Sequence, residues 1–154
     1  MEMPKPTDAH RKLHALAGRW IGQEKMHPSP WDTQGSIANA HIENKISVDG
    51  FLLVHDYEQS KNGIPNFHGH GVFSFDSNAQ NYTMHWWDSM GMGANVFKGN
   101  FNGATLQMEC RHERFATRAT WEFPEPSRYR FKMETSGDGQ TWAPMMDGEY
   151  TRAT

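Results

Sequence analysis

The sequence predicts an all-β fold, an antiparallel up-and-down barrel of about ten strands with a short N-terminal helix. Three observations predict it. Beyond residue 17 apolar and polar side chains alternate with a period of two, the spacing of strands that have one buried and one wet face. Asp49-Gly50, Asn62-Gly63, Asn102-Gly103 and Asp138-Gly139 are dipeptides that tight and bulged hairpins prefer, because their residues accept positive φ. The segments between them follow one another with no long crossover. Each strand therefore pairs with the next, and closure removes both exposed edges.

The helix comes first, over residues 6–17. Thr7 or Asp8 supplies its N-cap, Leu13 and Leu16 share a buried stripe, and Gly18 stands just past its end, where a glycine turns the chain. The barrel then occupies residues 18–152, with strands near Trp20, Asn39, Val54, Val72, His85, Phe97, Met108, Trp121, Phe131 and Tyr150. The cleanest alternation sets Tyr129, Phe131 and Met133 against Arg128, Arg130, Lys132 and Glu134. Ala119, Trp121 and Phe123, and likewise Leu106, Met108 and Cys110, repeat it. Asp76-Ser77-Asn78 and Pro124-Glu125-Pro126-Ser127 add two more turns.

A chain of 154 residues fits one domain, residues 1–154. No apolar run approaches the roughly 20 residues that span a bilayer, and the N-terminus lacks a secretory core. The lone Cys110 has no intrachain partner, which suits a reducing compartment. These features lead us to expect a soluble, cytoplasmic protein. A net charge of −3 with mixed signs offers neither a basic stripe for nucleic acid nor a polybasic patch for membranes. A homodimer is compatible with the sequence. Nine His, six Trp, nine Phe and ten Met exceed what a plain core needs and suit an adaptable cavity wall.

Side chains two apart on a strand share a face. Gly18-x-Trp20 after a helix resembles the opening of a lipocalin-type barrel, which implies that Trp20 plugs the floor with Arg152 of the last strand stacked on its indole; on that phase Gly22 and Glu24 also point inward and Tyr150 turns inward. Unless a bend returns it to solvent, an inward Glu24 needs a partner: a bridge to Arg152 or a His, or else a ligand or a proton to transfer. The loop His27-Pro28-Ser29-Pro30-Trp31-Asp32 sits at the mouth, stiffened by two prolines, as a preorganised rim or as a plain turn with Trp31 packed on the barrel edge. His55 shares a face with Phe51, Leu53 and Tyr57, as a hydrogen-bonded core histidine or a ligand contact.

A hairpin register pairing Phe75 with Tyr82 sets Gly69 and Gly71 across from Asp88 and Trp86, leaving room for the indole. The opposite face holds His70, Val72, Ser74, Thr83, His85 and Trp87. Both faces carry aromatics, so the period leaves the inner one open. His68-x-His70 puts two imidazoles about 6.6 Å apart, a metal site only if a third ligand joins from His55, His85 or Glu24. No metal and no other cofactor is expected. Ser29, Ser89 and Cys110 lack a nucleophile elbow or adjacent base.

Spaced blocks go further than Gly18-x-Trp20 alone: His10-x-x-Leu13-x-x-Leu16-x-Gly18-x-Trp20, Glu24-Lys25-x-His27-Pro28-Ser29-Pro30-Trp31-Asp32, Asp49-Gly50-Phe51, Asp56-Tyr57, Gly69-His70-Gly71-Val72, Met84-His85-Trp86-x-Asp88-Ser89-Met90-Gly91, Ser136-x-Asp138-Gly139-x-x-Trp142 and Tyr150-x-Arg152. Together they resemble the bacterial family catalogued as domain of unknown function 1579, with a calycin-like fold. The resemblance implies the barrel, singles out His70, His85, Trp86 and Asp88, and implies no activity. A looser similarity to nitrobindin-like haem barrels does not carry their iron ligand over, because no His follows His112.

The leading expectation is a binder of a small, partly apolar or aromatic molecule, with Glu24, His85 and Asp88 fixing its polar end and His27, Trp31, His55, His70, Trp86 and Tyr150 around it. The alternative is an isomerase, cyclase or lyase that sets His85 or His27 against Glu24 or Asp88 as acid and base. A third reading is a barrel filled by its own side chains.

Overall fold

Thr7 opens the helix by donating its backbone N–H to His10 Nδ1 at 3.0 Å. The computed structural model describes residues 1–154. It shows α1 (Asp8–Lys12) running into a 3₁₀ turn, Leu13–Leu16, rather than one continuous helix over 6–17. The tightening comes at the exit. Ala17 N–H bonds to His14 O at 3.0 Å, Ala17 is already extended, and Gly18 takes φ 113° to swing the chain into the first strand, a backbone angle that glycine reaches at no steric cost.

Ten strands follow: β1 (Gly18–Met26), β2 (Ser36–Ser47), β3 (Leu52–Lys61), β4 (Ile64–Asp76), β5 (Asn81–Asp88), β6 (Asn95–Asn102), β7 (Thr105–Arg111), β8 (Ala116–Glu125), β9 (Arg128–Ser136) and β10 (Ala143–Arg152). Each is antiparallel to the next, and β1 pairs with β10, so the barrel closes in the lipocalin/calycin-like topology. The closing seam aligns Trp20 with Arg152 and Glu24 with Gly148. In β4 and β5 Phe75 faces Tyr82, Gly71 faces Trp86 and Gly69 faces Asp88. No helix is long and apolar enough to cross a membrane.

The pleat sorts the side chains. Trp20 and Glu24 are 1 % and 0 % exposed, while Ile21 between them is 43 % exposed. The helix and the 3₁₀ turn cover one end of the barrel. Trp20 Nε1–H donates to Leu16 O at 2.8 Å, the Tyr82 hydroxyl to Ala9 O at 2.6 Å, and Asn44 Nδ2 to Leu16 O at 2.8 Å. The Arg152 guanidinium lies 4.3 Å from the Trp20 ring centroid and donates to Ala17 O at 2.7 Å, so one cation holds both the floor indole and the last carbonyls of the helical segment. Above this floor Leu53, Phe73, Leu106 and Tyr129 are close-packed with Leu13 and Leu16. The filled-barrel reading describes this lower half alone.

Candidate functional site

The upper half holds a cavity of about 680 Å³, a volume within the range of small-molecule sites. Its wall is mostly apolar, with Tyr57, Phe67, Trp86, Phe97, Trp121 and Phe131 supplying the rings. Methionines 26, 84, 133, 145 and 146 fill the gaps between them. This is a barrel interior able to enclose a small molecule.

At the bottom of the cavity lies a polar knot around Glu24. Oε1 accepts hydrogen bonds from the Tyr57 hydroxyl and from Gln59 Nε2 at 2.9 Å, and Oε2 accepts from the Tyr150 hydroxyl at 2.5 Å. Three donors thus converge on one carboxylate that no cation touches, a pattern that offsets much of its desolvation. Burial first, and then the Glu24 charge, hold the Tyr57 and Tyr150 phenols well above the ordinary range, so both remain donors. The expected bridge to Arg152 or a His does not form, because Arg152 sits beneath Trp20 and donates to the backbone.

Glycines make room for this knot. A Cβ on Gly148 would lie 2.2 Å from the Tyr150 hydroxyl oxygen, and one on Gly22 would lie 2.4 Å from Tyr150 Cδ1. Gly148→Ala is therefore expected to drive the phenol off Glu24 and lower stability by about 1–3 kcal/mol, measured as a reduced urea midpoint. An unchanged midpoint would show that the phenol does not depend on this slot.

His55, 7 % exposed, lines the same cavity. Its Nδ1 lies 2.7 Å from Asn44 Oδ1. Because Asn44 Nδ2 already donates to Leu16 O, Asn44 offers His55 an acceptor, so Nδ1 carries the proton and Nε2 presents a lone pair. Burial pushes the imidazole down to about 4, against a smaller upward pull from Asp56. Neither Asn44 nor Gln59 was singled out from the sequence. Gln59 lies in the same β3 phase as His55 and Tyr57, and Asn44 faces His55 in register, so the second signal appears only once β2 and β3 are aligned.

On β4 and β5 the inner face is that of Gly69, Gly71, Trp86 and Asp88. A Cβ at Gly69 would come within 2.0 Å of Trp86 Cη2, so the indole occupies the space the glycine leaves. Trp86 Nε1–H donates to Asp88 Oδ2 at 2.8 Å, which fixes the ring along the wall. His70 and His85 project from the outer face, both exposed. They do not share the cavity with Glu24, and the expectation that His85 joins Glu24 and Asp88 around one polar end is corrected. His70 Nδ1 lies 2.7 Å from Asp56 and His68 Nε2 lies 3.0 Å from Glu58, exposed pairs of little energetic weight. No group of three or more His, Cys, Asp or Glu is arranged to hold a metal ion.

At the mouth His27 Nε2 meets Asp147 Oδ2 at 2.7 Å, and its backbone N–H bonds to Met145 O. That ties the start of the 27–35 loop to β10. Within the loop Ser29 exchanges backbone hydrogen bonds with Asp32, and its hydroxyl oxygen accepts from Asp32 N at 3.1 Å. Trp31 stands 94 % exposed on the rim rather than packed on the barrel edge. The acid–base pairing of His85 with Glu24 is not assembled, and His27 is engaged by Asp147.

A family model described as protein of unknown function (DUF1579) matches residues 5–152. Among solved structures the chain is similar to Rv2717c from Mycobacterium tuberculosis, with a TM-score of 0.73 and 12 % identity over 96 % of this chain and 99 % of that one. It is also similar to the S-type phycobiliprotein lyase CPES from Guillardia theta, with a TM-score of 0.61 and 11 % identity over 97 % and 99 %. A de novo designed fluorescence-activating β-barrel matches with a TM-score of 0.51 and 14 % identity over 96 % and 100 %. At these identities the likeness is one of fold. No curated protein matches the sequence.

Proposed function

The chain belongs to the family described as protein of unknown function DUF1579, and from that premise we propose that its barrel binds a small, partly apolar or aromatic molecule. The observation that carries this reading is the cavity of about 680 Å³, walled by rings and methionines and open at one end. Such a wall gains free energy in proportion to the apolar area it takes from water, roughly 25 cal/mol per Å². The slots at Gly69 and Gly148 hold Trp86 and Tyr150 against the wall, and this preorganisation reduces the cost of ordering the site around a ligand. Neighbours named as a phycobiliprotein lyase and as a fluorescence-activating barrel lend support by analogy of fold.

The test uses N-phenyl-1-naphthylamine, a neutral fluorescent aromatic probe. Its emission is expected to rise on titration with the protein and to saturate at one probe per chain. Gly69→Ala, which pushes the Trp86 indole into the cavity, is expected to weaken binding by about tenfold, an overpacking effect. Absence of saturable binding to the wild-type protein would overturn the reading.

A further inference from the structure

We infer that the cavity selects aromatic ligands that donate hydrogen bonds and carry no negative charge, such as aryl amines or N–H heterocycles, and rejects aromatic acids of the same shape. This rests on the binding reading above and names its ligand class.

Charge sets the first part of this preference. The deepest ionisable side chain of the interior is Glu24, 0 % exposed, and its three partners, Tyr57, Gln59 and Tyr150, are all uncharged. The basic side chains of the neighbouring strands lie elsewhere. Arg152 is under the floor, and Arg118 pairs with Glu134 and stacks on Trp142. Only the rim mixes signs, where Lys61 and Asp32 both line the mouth and His27 is held by Asp147. An anion entering this space loses its hydration and meets a carboxylate across a medium of low dielectric, while a cation or a neutral donor meets attraction.

Hydrogen-bond polarity favours the same ligands. The polar hydrogens of the inner wall already point at protein acceptors. Tyr57, Tyr150 and Gln59 donate to Glu24, Trp86 to Asp88, and His55 to Asn44. Below the rim, two lining groups have no protein acceptor, the Trp121 N–H and the Ser36 hydroxyl, whose Oγ is buried without a partner. What the wall presents instead is lone pairs on two lining residues, His55 Nε2 and the Asp88 carboxylate. A carboxylate ligand brings only acceptors to a wall whose free groups are mostly acceptors, whereas an amine or N–H heterocycle pairs with them.

The experiment is displacement of N-phenyl-1-naphthylamine, at pH 7.5, by three matched competitors: 1-naphthylmethylamine, 1-naphthalenemethanol and 1-naphthylacetate. The amine and the alcohol are expected to compete at least about tenfold better than the acetate, the size of effect that one unpaired buried polar group produces. Glu24→Gln is expected to narrow the gap between amine and acetate to about threefold or less. The ranking on the wild-type protein decides the matter even if that variant does not fold. Equal or tighter binding of the acetate would overturn the inference, and loss of acetate binding in Lys61→Gln would then assign the anion to the rim. The two claims fail separately. A probe that does not bind removes the binding reading, while a bound probe displaced equally by all three competitors removes only the selectivity.

Discussion

Replacing Trp20 by Ala is expected to cost about 3–5 kcal/mol, the range for deleting a fully buried tryptophan, and the loss falls on three elements at once. The indole is 1 % exposed, meets the Tyr129 ring edge-on at 4.8 Å, and donates to Leu16 O. It also forms the face on which the Arg152 guanidinium rests. Its removal opens a hole between the helical cover, the closing seam of β1 and β10, and the tyrosine stack of Tyr129 on Tyr150, whose centroids are 4.7 Å apart. Against a typical domain stability of about 5–15 kcal/mol, such a loss can abolish folding. Trp20→Phe keeps a ring and loses the N–H, so about 1–2 kcal/mol is expected, part of it deferred because Asn44 Nδ2 still donates to Leu16 O. Urea denaturation of both variants checks the pair. A cost below about 1 kcal/mol for the alanine would contradict a floor built on this residue.

The same floor explains why so much of the architecture was legible. Period-two alternation and Asn-Gly or Asp-Gly turns are local signals, and local signals suffice when every strand pairs with its sequence neighbour. The register of Phe75 with Tyr82 follows from the turn between them, and the phase of β1 follows from Trp20. What did not follow depends on longer-range geometry. The partners of Glu24 come from β3 and β10, and which side chains meet inside a closed barrel depends on its stagger as well as its pairing. The inner face of β4 and β5 was ambiguous because the outer face also carries rings: Trp87 is 43 % exposed beside His70 and His85. Gly69 and Gly71 held the missing signal. Two glycines in one phase opposite a Trp mark the face on which the indole lies flat, since a Cβ at Gly69 would come within 2.0 Å of it and one at Gly71 would crowd it at 3.3 Å. His70 and His85 are in the opposite phase and so face outward.

Stability is expected to fall by about 3 kcal/mol as the pH drops from 6.5 to 4, and His55 accounts for the fall. Burial holds its imidazole down to about 4, from 6.5 in an unfolded chain. Above pH 6.5 both states carry a neutral ring, and the full stability is present. Between 6.5 and 4 the unfolded chain takes up a proton that the native protein refuses, so each step down in pH favours unfolding. Below 4 the native ring is also protonated, and this contribution has been lost. Protonation would put a second donor on Nε2 in the cavity wall, with Phe73 and Trp86 nearby. Asp138 acts in a different window. Backbone N–H groups of Thr141 and Gln140 hold its carboxyl down to about 2, so its contribution is present above 3.8 and disappears only as the pH falls toward 2. Urea denaturation at pH 7.5, 6.0, 5.0 and 4.5 is expected to show a steeper loss in the wild type than in His55→Asn, in which a side-chain amide still donates toward Asn44 Oδ1 but cannot titrate. Parallel slopes for the two proteins would mean that the buried imidazole binds its proton equally well folded and unfolded. That would remove the argument that His55 meets the cavity as a neutral acceptor.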